Sequence, residues 1–269
     1  MSLTNYLKKR LDPFCKMDKD IKNTRKILLM THVVVGYPSL EENWKMLEAM
    51  SEADVDLVEL QMPFSEPSAD GPLFVKANQE SLLKGMCWDM YFDMMKRSKE
   101  CFDFPLIMMG YYNTAYSMGF SNYCNNIKQN GGTGFIIPDL PIEEYGDLFN
   151  HSRQHKLDPI MLCTPTNTDE RLRKICDNGS GFIYCVARKG VTGKNTDVNK
   201  STENFLERCR IYTDLPLALG FGLSKAEDLH RLHGKVEIAI VGSALLRTWE
   251  AEGEKGYRKH LMSLANARN

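Results

Sequence analysis

The chain has 269 residues, of which 43% are hydrophobic and 26% are charged, as is typical of a soluble globular protein. Its 34 Lys and Arg residues nearly balance its 35 Asp and Glu residues, so its charge gives no reason to expect binding to nucleic acid or to a membrane. No apolar stretch reaches the roughly 20 residues that span a bilayer, and the polar, basic residues 1–10 do not resemble a signal peptide. We therefore expect a cytoplasmic protein.

The eight cysteines are scattered along the chain without a Cys-x-x-Cys pair, and the six histidines lack metal-ligand spacing. In the cytoplasm such cysteines are expected to be reduced, buried thiols. The sequence therefore predicts no metal site.

The predicted elements begin with an amphipathic helix over Leu3–Leu11, which we place at the bottom of a barrel. Eight short apolar runs follow, and longer amphipathic segments separate them. Such runs are typical of parallel strands covered on both faces, although periodicity alone does not distinguish them from buried helix. The predicted strands are Leu28–Val35, Asp56–Gln61, Pro105–Gly110, Thr133–Ile137, Pro159–Cys163, Phe182–Val186, Leu215–Leu219 and Glu237–Val241.

The segments between the strands carry signals for the start and end of helices. Ser39 and Glu42 form a capping box, Ser224 is a candidate cap for the next-to-last helix, and Gly234 stands where that helix would end. Eight strand–helix repeats favour closure into a barrel, because closure leaves no sheet edge exposed. The alternative is an open doubly wound sheet, but no Gly-x-Gly-x-x-Gly follows the first strand. The predicted fold is one (β/α)8 TIM barrel domain over residues 1–269, with the extra N-terminal helix.

Glu59 is a charged residue in the otherwise apolar second strand. By strand alternation it shares a face with Leu57 and Gln61, and we place that face inside the barrel. A carboxylate buried there is unfavourable unless it is paired or protonated, and these conditions suit a general acid or base. The other interpretation is a strand-end glutamate whose oxygens accept hydrogen bonds from neighbouring amides.

Asp70 follows in the loop after the second strand. Alone, Asp-Gly-Pro is typical of a turn. Its loop begins beside Glu59, however, and barrel active sites lie on the loops at the carboxyl ends of the strands. Two carboxylates in different environments can serve as proton donor and acceptor. We therefore predict that Glu59 and Asp70 form the acid–base centre.

Glycine-rich segments end the last two strands, as Gly220-Phe-Gly222 and Gly242-Ser243. Glycine lets the backbone approach a ligand closely, and a helix that starts after Gly242 would aim free amides at an anion. Each segment alone could be a turn or a cap, but together they favour a phosphate site. The long polar loop from Arg188 to Asp197 is predicted to be a mobile lid or, alternatively, a flexible surface loop.

In this order the segments resemble the tryptophan synthase α subunit family across essentially the whole chain. The resemblance implies a (β/α)8 barrel lyase of L-tryptophan biosynthesis. Such an enzyme cleaves indole-3-glycerol phosphate to indole and glyceraldehyde 3-phosphate, with no cofactor in this subunit. The most specific match is Glu59-Leu-x-x-Pro-Phe-Ser-x-Pro-x-Ala-Asp70-Gly-Pro72, with support from Pro138-Asp-Leu-Pro141, Arg188-x-Gly-Val-Thr-Gly193, Gly220-Phe-Gly222 and Gly242-Ser243.

The resemblance also implies roles for single residues. Glu59 would be the proton shuttle, Asp70 would accept a hydrogen bond from the indole N–H, and Thr192 would bond Asp70 when the lid closes. The other residues implied to bind the substrate are Tyr111, Leu162, Tyr184 and Phe221, and those implied to bind its phosphate are Gly193, Gly222, Gly242 and Ser243.

A further implication of the resemblance is a partner, a pyridoxal-phosphate-dependent β subunit that receives indole within an αββα heterotetramer. One alternative is a degenerate chain that mainly binds and activates a β subunit, but retention of both carboxylates argues against it. The other is a different phosphate-binding barrel, such as a sugar-phosphate isomerase, which would not explain the motif after the second strand. The implied interface residues are Pro63, Glu66, Asn113 and Pro141.

Residues near these motifs depart from the family pattern, among them Val34, which lacks the threonine hydroxyl often found there, and Tyr37, which stands where aspartate is usual. Gln61 stands where glycine is usual, and its long side chain would narrow the pocket or hydrogen-bond Glu59. Glu66 replaces the usual aspartate. His32 stands where an apolar aromatic residue faces the indole, and we interpret it as a packing ring rather than a new acid.

Overall fold

The computed structural model describes residues 2–11, 27–186, 200–220 and 222–269. Within these ranges, parallel strands form one sheet in the order β5-β4-β3-β2-β1-β9-β8-β7-β6. The strands are β1 (Leu28–Val34), β2 (Leu57–Gln61), β3 (Leu106–Met109), β4 (Gly132–Ile136), β5 (Asp158–Pro159), β6 (Met161–Cys163), β7 (Ile183–Val186), β8 (Leu217–Gly220) and β9 (Ile238–Val241).

The two outer strands of this order are consecutive in the chain and are separated only by Ile160. β5 pairs with β4, and β6 pairs with β7. One short stretch of chain therefore joins both edges of the sheet and brings it to a nearly closed barrel. The predicted barrel is confirmed, and the single strand predicted over Pro159–Cys163 is divided in two. The other seven predicted strands agree with the structure to within two residues at each end.

Helices follow the strands and surround the barrel. A short 3-10 helix, Ile142–Glu144, lies between β4 and the next α-helix. Among the described residues, no helix is both long enough and apolar enough to cross a membrane. The helices are α1 (Leu3–Leu11), α2 (Leu40–Glu52), α3 (Pro72–Leu83), α4 (Trp88–Cys101), α5 (Tyr112–Met118), α6 (Phe120–Gln129), α7 (Gly146–His155), α8 (Asp169–Asn178), α9 (Lys200–Tyr212), α10 (Ala226–Leu232) and α11 (Ser243–Asn266).

Of the two predicted helix caps, one is confirmed and one is wrong. The Oγ of Ser39 accepts a hydrogen bond from the backbone N–H of Glu42 at 3.1 Å and caps α2. Ser224 does not cap α10, which begins after Lys225. There the Oδ2 of Asp228 accepts the backbone N–H groups of Ser224 and Lys225, each at 2.9 Å, and Lys225 rather than Ser224 is the N-cap residue.

Side chains on the inner face of the strands form an apolar cluster inside the barrel, separate from the core between strands and helices. Leu57 belongs to it, which confirms the predicted inward face of β2. Leu3 and Leu7 of α1 join the same cluster beside the first residues of the strands, so α1 covers the bottom of the barrel as expected. The hydroxyl of Thr4 donates to the carboxylate of Asp158 at 3.1 Å and fixes this helix.

A buried ion pair lies at the same end of the barrel. Nη1 of Arg268 is 2.9 Å from Oδ2 of Asp56, and their side chains are 7% and 0% exposed. The same carboxylate oxygen accepts the backbone N–H of Leu29 at 2.9 Å. The guanidinium also donates to the carbonyl of Ala53 at 3.0 Å, so one side chain ties the segment after α11 to the loop before β2.

We expect Arg268→Met to lower the free energy of unfolding by about 3 kcal/mol, because it removes the guanidinium 2.9 Å from Oδ2 of the buried Asp56 and leaves only Arg10, whose Nε is 4.0 Å from Oδ1. Urea unfolding followed by circular dichroism measures this change. Arg153→Met is the matched control, since Arg153 is exposed on α7. A loss below about 1 kcal/mol for Arg268→Met, comparable to that of an exposed ion pair, would contradict the structural role of Arg268.

Candidate active site

Glu59 lies near the carboxyl end of β2, between β1 and β3. The strand register places it opposite His32 on one side and Ile107 on the other. Glu59 is only 4% exposed. Its carboxylate therefore lies inside the barrel mouth, in the position expected from strand alternation.

Asp70 lies in the loop between β2 and α3, in a tight turn where its own N–H bonds the carbonyl of Pro67. The turn does not expose the side chain, which is buried. Its Oδ2 accepts hydrogen bonds from Nε2 of Gln61 at 2.7 Å and from the hydroxyl of Tyr111 at 3.0 Å. A third donor, Nδ2 of Asn78 on α3, lies at 3.4 Å. Burial raises the pKa of Asp70 above its usual range, against the hydrogen bonds and the nearby His32, which lower it.

His32 connects the two carboxylates through Gln61. Its Nδ1 lies 3.3 Å from Oε1 of Glu59, and its Nε2 lies 2.8 Å from Oε1 of Gln61. Burial alone would lower the pKa of His32, but Glu59, Asp70 and Gln61 together raise it above its ordinary value. The ring does pack against Phe74, at 4.6 Å between centroids. Both ring nitrogens also lie near polar partners, which the interpretation as a packing ring did not include.

The described contacts of Gln61 also differ from those expected. Its amide bonds His32 and Asp70, and the amide nitrogen lies 3.4 Å from Oδ1 of Asn78. A direct bond from Gln61 to Glu59 is therefore not the arrangement found among the described residues. Instead, the side chain of Gln61 at the end of β2 links His32, the neighbour of Glu59, to Asp70.

Three of the predicted substrate-binding residues line the same mouth. Tyr111 is fully buried, and its hydroxyl, besides donating to Asp70, accepts the backbone N–H of Ala69 at 3.2 Å. Leu162 and Tyr184 are register partners on β6 and β7 and pack on the inner cluster. The ring of Tyr184 lies so near Gly220 that a Cβ there would be 2.6 Å from a ring carbon. A glycine is therefore needed at position 220.

The loops after β8 and β9 contain the predicted phosphate-binding residues Gly222, Gly242 and Ser243. Gly222 has a φ of +86°, a conformation that favours glycine. Gly242 is the N-cap of α11, and Ser243 is its first residue, so the first amides of this helix lack intrahelical acceptors. The structure places Gly242 beside His32, since a Cβ on Gly242 would be 3.2 Å from the Cβ of His32.

Three further predicted residues, Thr192, Gly193 and Phe221, lie outside the described residues, as does the predicted lid from Arg188 to Asp197. The predicted partner-interface residues are described. Glu66, Asn113 and Pro141 are exposed on the segments after β2, β3 and β4, whereas Pro63 is buried. The backbone N–H of Tyr112 donates to Asp139 at 2.8 Å and ties the second of these segments to the third.

Sequence reasoning missed two polar residues and misjudged one. Asn78 is a fully buried polar residue on the inner face of α3, and its sequence signal was an amide among the apolar positions of that face. Arg247 lies one turn into α11 with Nη2 3.3 Å from Oγ of Ser243, and this spacing of four residues could have been noticed. His32 was noticed, but its polar contacts with Glu59 and Gln61 were not anticipated. Among the described residues, no three potential metal ligands come together.

Comparisons with known proteins place this architecture in one family. The family model described as "Tryptophan synthase alpha chain" matches residues 18–268. The tryptophan synthase alpha chain of Syntrophotalea carbinolica is 42% identical over 238 residues, which cover 88% of this chain and 94% of that one. The corresponding protein of Desulfotalea psychrophila is 41% identical over 249 residues, which cover 93% of this chain and 98% of that one.

Solved structures agree with this comparison. A structure of Mycobacterium tuberculosis tryptophan synthase superposes with a TM-score of 0.86 at 26% identity, and the match covers 96% of this chain and 98% of that one. A tryptophan synthase complex from Pyrococcus furiosus gives a TM-score of 0.82 at 26% identity, with 90% and 98% of the two chains covered. By sequence and by fold, this chain belongs to the tryptophan synthase alpha chain family.

Proposed function

We propose that the chain cleaves indole-3-glycerol phosphate to indole and glyceraldehyde 3-phosphate by a retro-aldol reaction, as a lyase of L-tryptophan biosynthesis. Its membership of the tryptophan synthase alpha chain family supports the reaction. The observation that carries the proposal is the burial of two carboxylates, Glu59 and Asp70, at the carboxyl end of β2 beside Tyr111. An apolar barrel mouth with two such groups suits acid–base chemistry on a flat aromatic substrate.

The two carboxylates have different proposed tasks. Glu59 protonates C3 of the indole ring and recovers a proton from the hydroxyl whose carbon becomes the aldehyde. Asp70 accepts a hydrogen bond from the indole N–H and stabilises the positive charge that develops on the ring. The three side-chain hydrogen bonds to Asp70 from the described residues all reach Oδ2. Among those residues, Oδ1 therefore has the freedom to accept the substrate N–H.

The remaining substrate contacts follow the shape of the mouth. We assign Tyr111, Leu162 and Tyr184 to the indole side, together with Phe221, which lies outside the described residues. The phosphate would lie at the start of α11, where free amides and the helix dipole favour an anion. Arg247 adds a positive charge there, since its guanidinium contacts Ser243.

In this proposal Gly222, Gly242 and Ser243 bind the phosphate with Gly193, and Thr192 bonds Asp70 when substrate is present. The chemistry needs only proton transfer, so the proposal includes no cofactor in this chain. We also propose that residues 1–269 form one domain and that it works in the cytoplasm. The seven described cysteines are free thiols, as a reducing compartment would keep them.

The proposed partner is a pyridoxal-phosphate-dependent β subunit in an αββα heterotetramer. Support comes from the fold's similarity to solved tryptophan synthase complexes, such as that of Pyrococcus furiosus. The candidate contact surface comprises the exposed residues Glu66, Asn113 and Pro141, which follow three neighbouring strands at the barrel mouth, with Pro63 buried beneath them.

The first test measures indole formation from indole-3-glycerol phosphate by the purified chain, with and without a β subunit. We expect Glu59→Gln and Asp70→Asn each to lower kcat by about 100-fold or more, because each removes a group that acts on the reacting ring. If the unaltered chain forms no indole under either condition, the proposed enzyme activity is contradicted, and a chain that only activates its partner is favoured. Near-normal rates for either variant would refute that residue's role.

Asp70→Asn also has an expected effect on stability. A carboxyl group whose pKa is raised in the folded protein loses its stabilising contribution as the pH rises through that raised pKa. At neutral pH the ionised Asp70 therefore reduces stability, and an uncharged amide whose oxygen still accepts from Tyr111 removes this effect. We expect the Tm of Asp70→Asn to equal or exceed that of the unaltered chain in a thermal scan at pH 7. A clearly lower Tm would contradict this account.

The partner surface has its own test. Glu66→Lys reverses an exposed charge at the barrel mouth, and we expect it to weaken stimulation by the β subunit about tenfold while the uncomplexed chain keeps its rate. Glu100→Lys is the matched control, because Glu100 is also exposed but lies at the end of α4, shortly before β3 begins and so at the opposite end of the barrel. Equal stimulation of both variants would mean that Glu66 lies outside the interface.

A further inference from the structure

His32 and Gln61, two residues that depart from the family pattern, lie beside Glu59 inside the barrel. Adjacent strands place His32 opposite Glu59, and Val34 opposite Gln61. The side chains of His32 and Glu59 are only 8% and 5% exposed. Water can therefore supply few of their hydrogen bonds, and neighbouring protein groups must account for their protons.

The orientation of the Gln61 amide follows from its neighbours. Its nitrogen lies 2.7 Å from Oδ2 of Asp70 and 3.4 Å from Oδ1 of Asn78, and both of these atoms are acceptors. The opposite orientation would bring the amide oxygen against the carboxylate of Asp70, where neither atom carries a proton. The amide oxygen of Gln61 therefore faces Nε2 of His32, at 2.8 Å.

This orientation determines where the histidine carries its first proton. An amide oxygen can only accept, so Nε2 of His32 must donate to it. In a neutral ring with Nε2 protonated, Nδ1 carries a lone pair. That lone pair would lie 3.3 Å from Oε1 of Glu59, which is ion-pair distance, and two acceptors this close repel unless one of the two groups carries a further proton.

We propose that His32 and Glu59 share one proton, that Gln61 maintains this arrangement by accepting the other ring proton, and that the pair supplies and recovers the proton of the cleavage reaction. The proton lies on Glu59 in a neutral pair or on Nδ1 of His32 in an ion pair, and the net charge of the pair is zero in both forms. His32 is a positioning residue, because it acts through Glu59. The inference rests on the proposed function.

The pair of His32 and Glu59 gives one proton to the substrate and receives one back in each reaction cycle. The pair gives its proton to C3 of the indole, which forms a C–H bond. The bond from C3 to the side chain then breaks, and its electrons return to the ring. The hydroxyl O–H breaks as the C=O of the aldehyde forms, and that proton returns to the pair, so no other reactant is needed.

The surroundings of the pair favour retention of its proton. Burial by itself would lower the pKa of His32, but the carboxylates of Glu59 and Asp70 raise it further than burial lowers it. The ring of His32 should therefore keep its second proton to higher pH than an ordinary imidazole does. Within the part of the chain that the structure describes, the other titratable groups that interact electrostatically with these carboxylates are the phenols of Tyr91, Tyr111 and Tyr184.

The pH profile of kcat tests the pair. His32→Phe keeps a ring against Phe74 but removes both nitrogens. We expect kcat at pH 8 to fall about tenfold or more, and the alkaline limb of the pH profile to move to lower pH by about one unit. Gln61→Met removes the acceptor of Nε2 at similar volume and should move the limb in the same direction. Met30→Leu, on the same face of β1, is the control and should leave the limb in place. A His32→Phe profile that superposes on the unaltered one would overturn the proposal.

A second readout does not depend on catalysis. Nitrogen-15 NMR of histidine-labelled chain reports which ring nitrogens are protonated, and the six histidines are distinguished by the resonances that His32→Phe removes. We expect Nε2 of His32 to stay protonated across the titration while Nδ1 titrates above pH 6.5, and Gln61→Met to give mixed tautomers. An unprotonated Nε2 would overturn the proposal even in an active enzyme. Absence of indole from the unaltered chain would instead contradict the proposed function, and the spectrum would still decide where the proton lies.

Discussion

Two carboxylates are buried at the barrel mouth, that of Glu59 on β2 and that of Asp70 in the loop that follows β2. The arrangement of the other polar side chains there follows from this constraint. Neither Glu59 nor Asp70 can remain there without polar neighbours, because an isolated buried charge would be strongly unfavourable. The neighbours come from three elements: His32 on β1, Tyr111 after β3, and Asn78 on α3. Gln61 connects them through both ends of its amide, so the polar groups form one continuous network.

Apolar side chains surround this network on two faces of each strand. Alternate side chains of each strand face either the helices or the barrel interior, and α1 covers the interior at the bottom. The ion pair between Asp56 and Arg268 lies at that same end. Stability is therefore concentrated where the strands begin, and the open end can accommodate carboxylates and glycine-rich loops. This separation is the general arrangement of barrels of this class.

Sequence reasoning predicted the barrel well because its evidence was local. Eight apolar runs and the inward face of Leu57 follow from side-chain periodicity, and the division at Ile160 lay within a strand already identified. The cap at Ser39 was equally local. The cap at Ser224 was predicted wrongly, because α10 begins after Lys225, one residue later than the serine pattern indicated.

The site residues, too, were predicted where the sequence signal was local and missed where it was not. A charged residue in an apolar strand pointed to Glu59, and its loop pointed to Asp70. The contacts of His32 and Gln61 depend on how β1 and β2 are registered, which single-strand patterns do not contain. A histidine on an apolar face is ordinarily a packing residue, and only the opposing Glu59 changes that interpretation. Asn78 was missed for the same reason, since its partners come from another element.

The division of one strand at Ile160 has a consequence for motion. β5 contributes two register pairs to one neighbour, β6 contributes three to the other, and no continuous ladder crosses the join. Short ladders open at lower free energy than long ones, so the wall of the barrel has a seam at this place. Leu162 lies on the seam, opposite Tyr184. Local opening of the seam would therefore change the width of the barrel mouth beside Leu162 before the longer ladders elsewhere in the wall are disturbed.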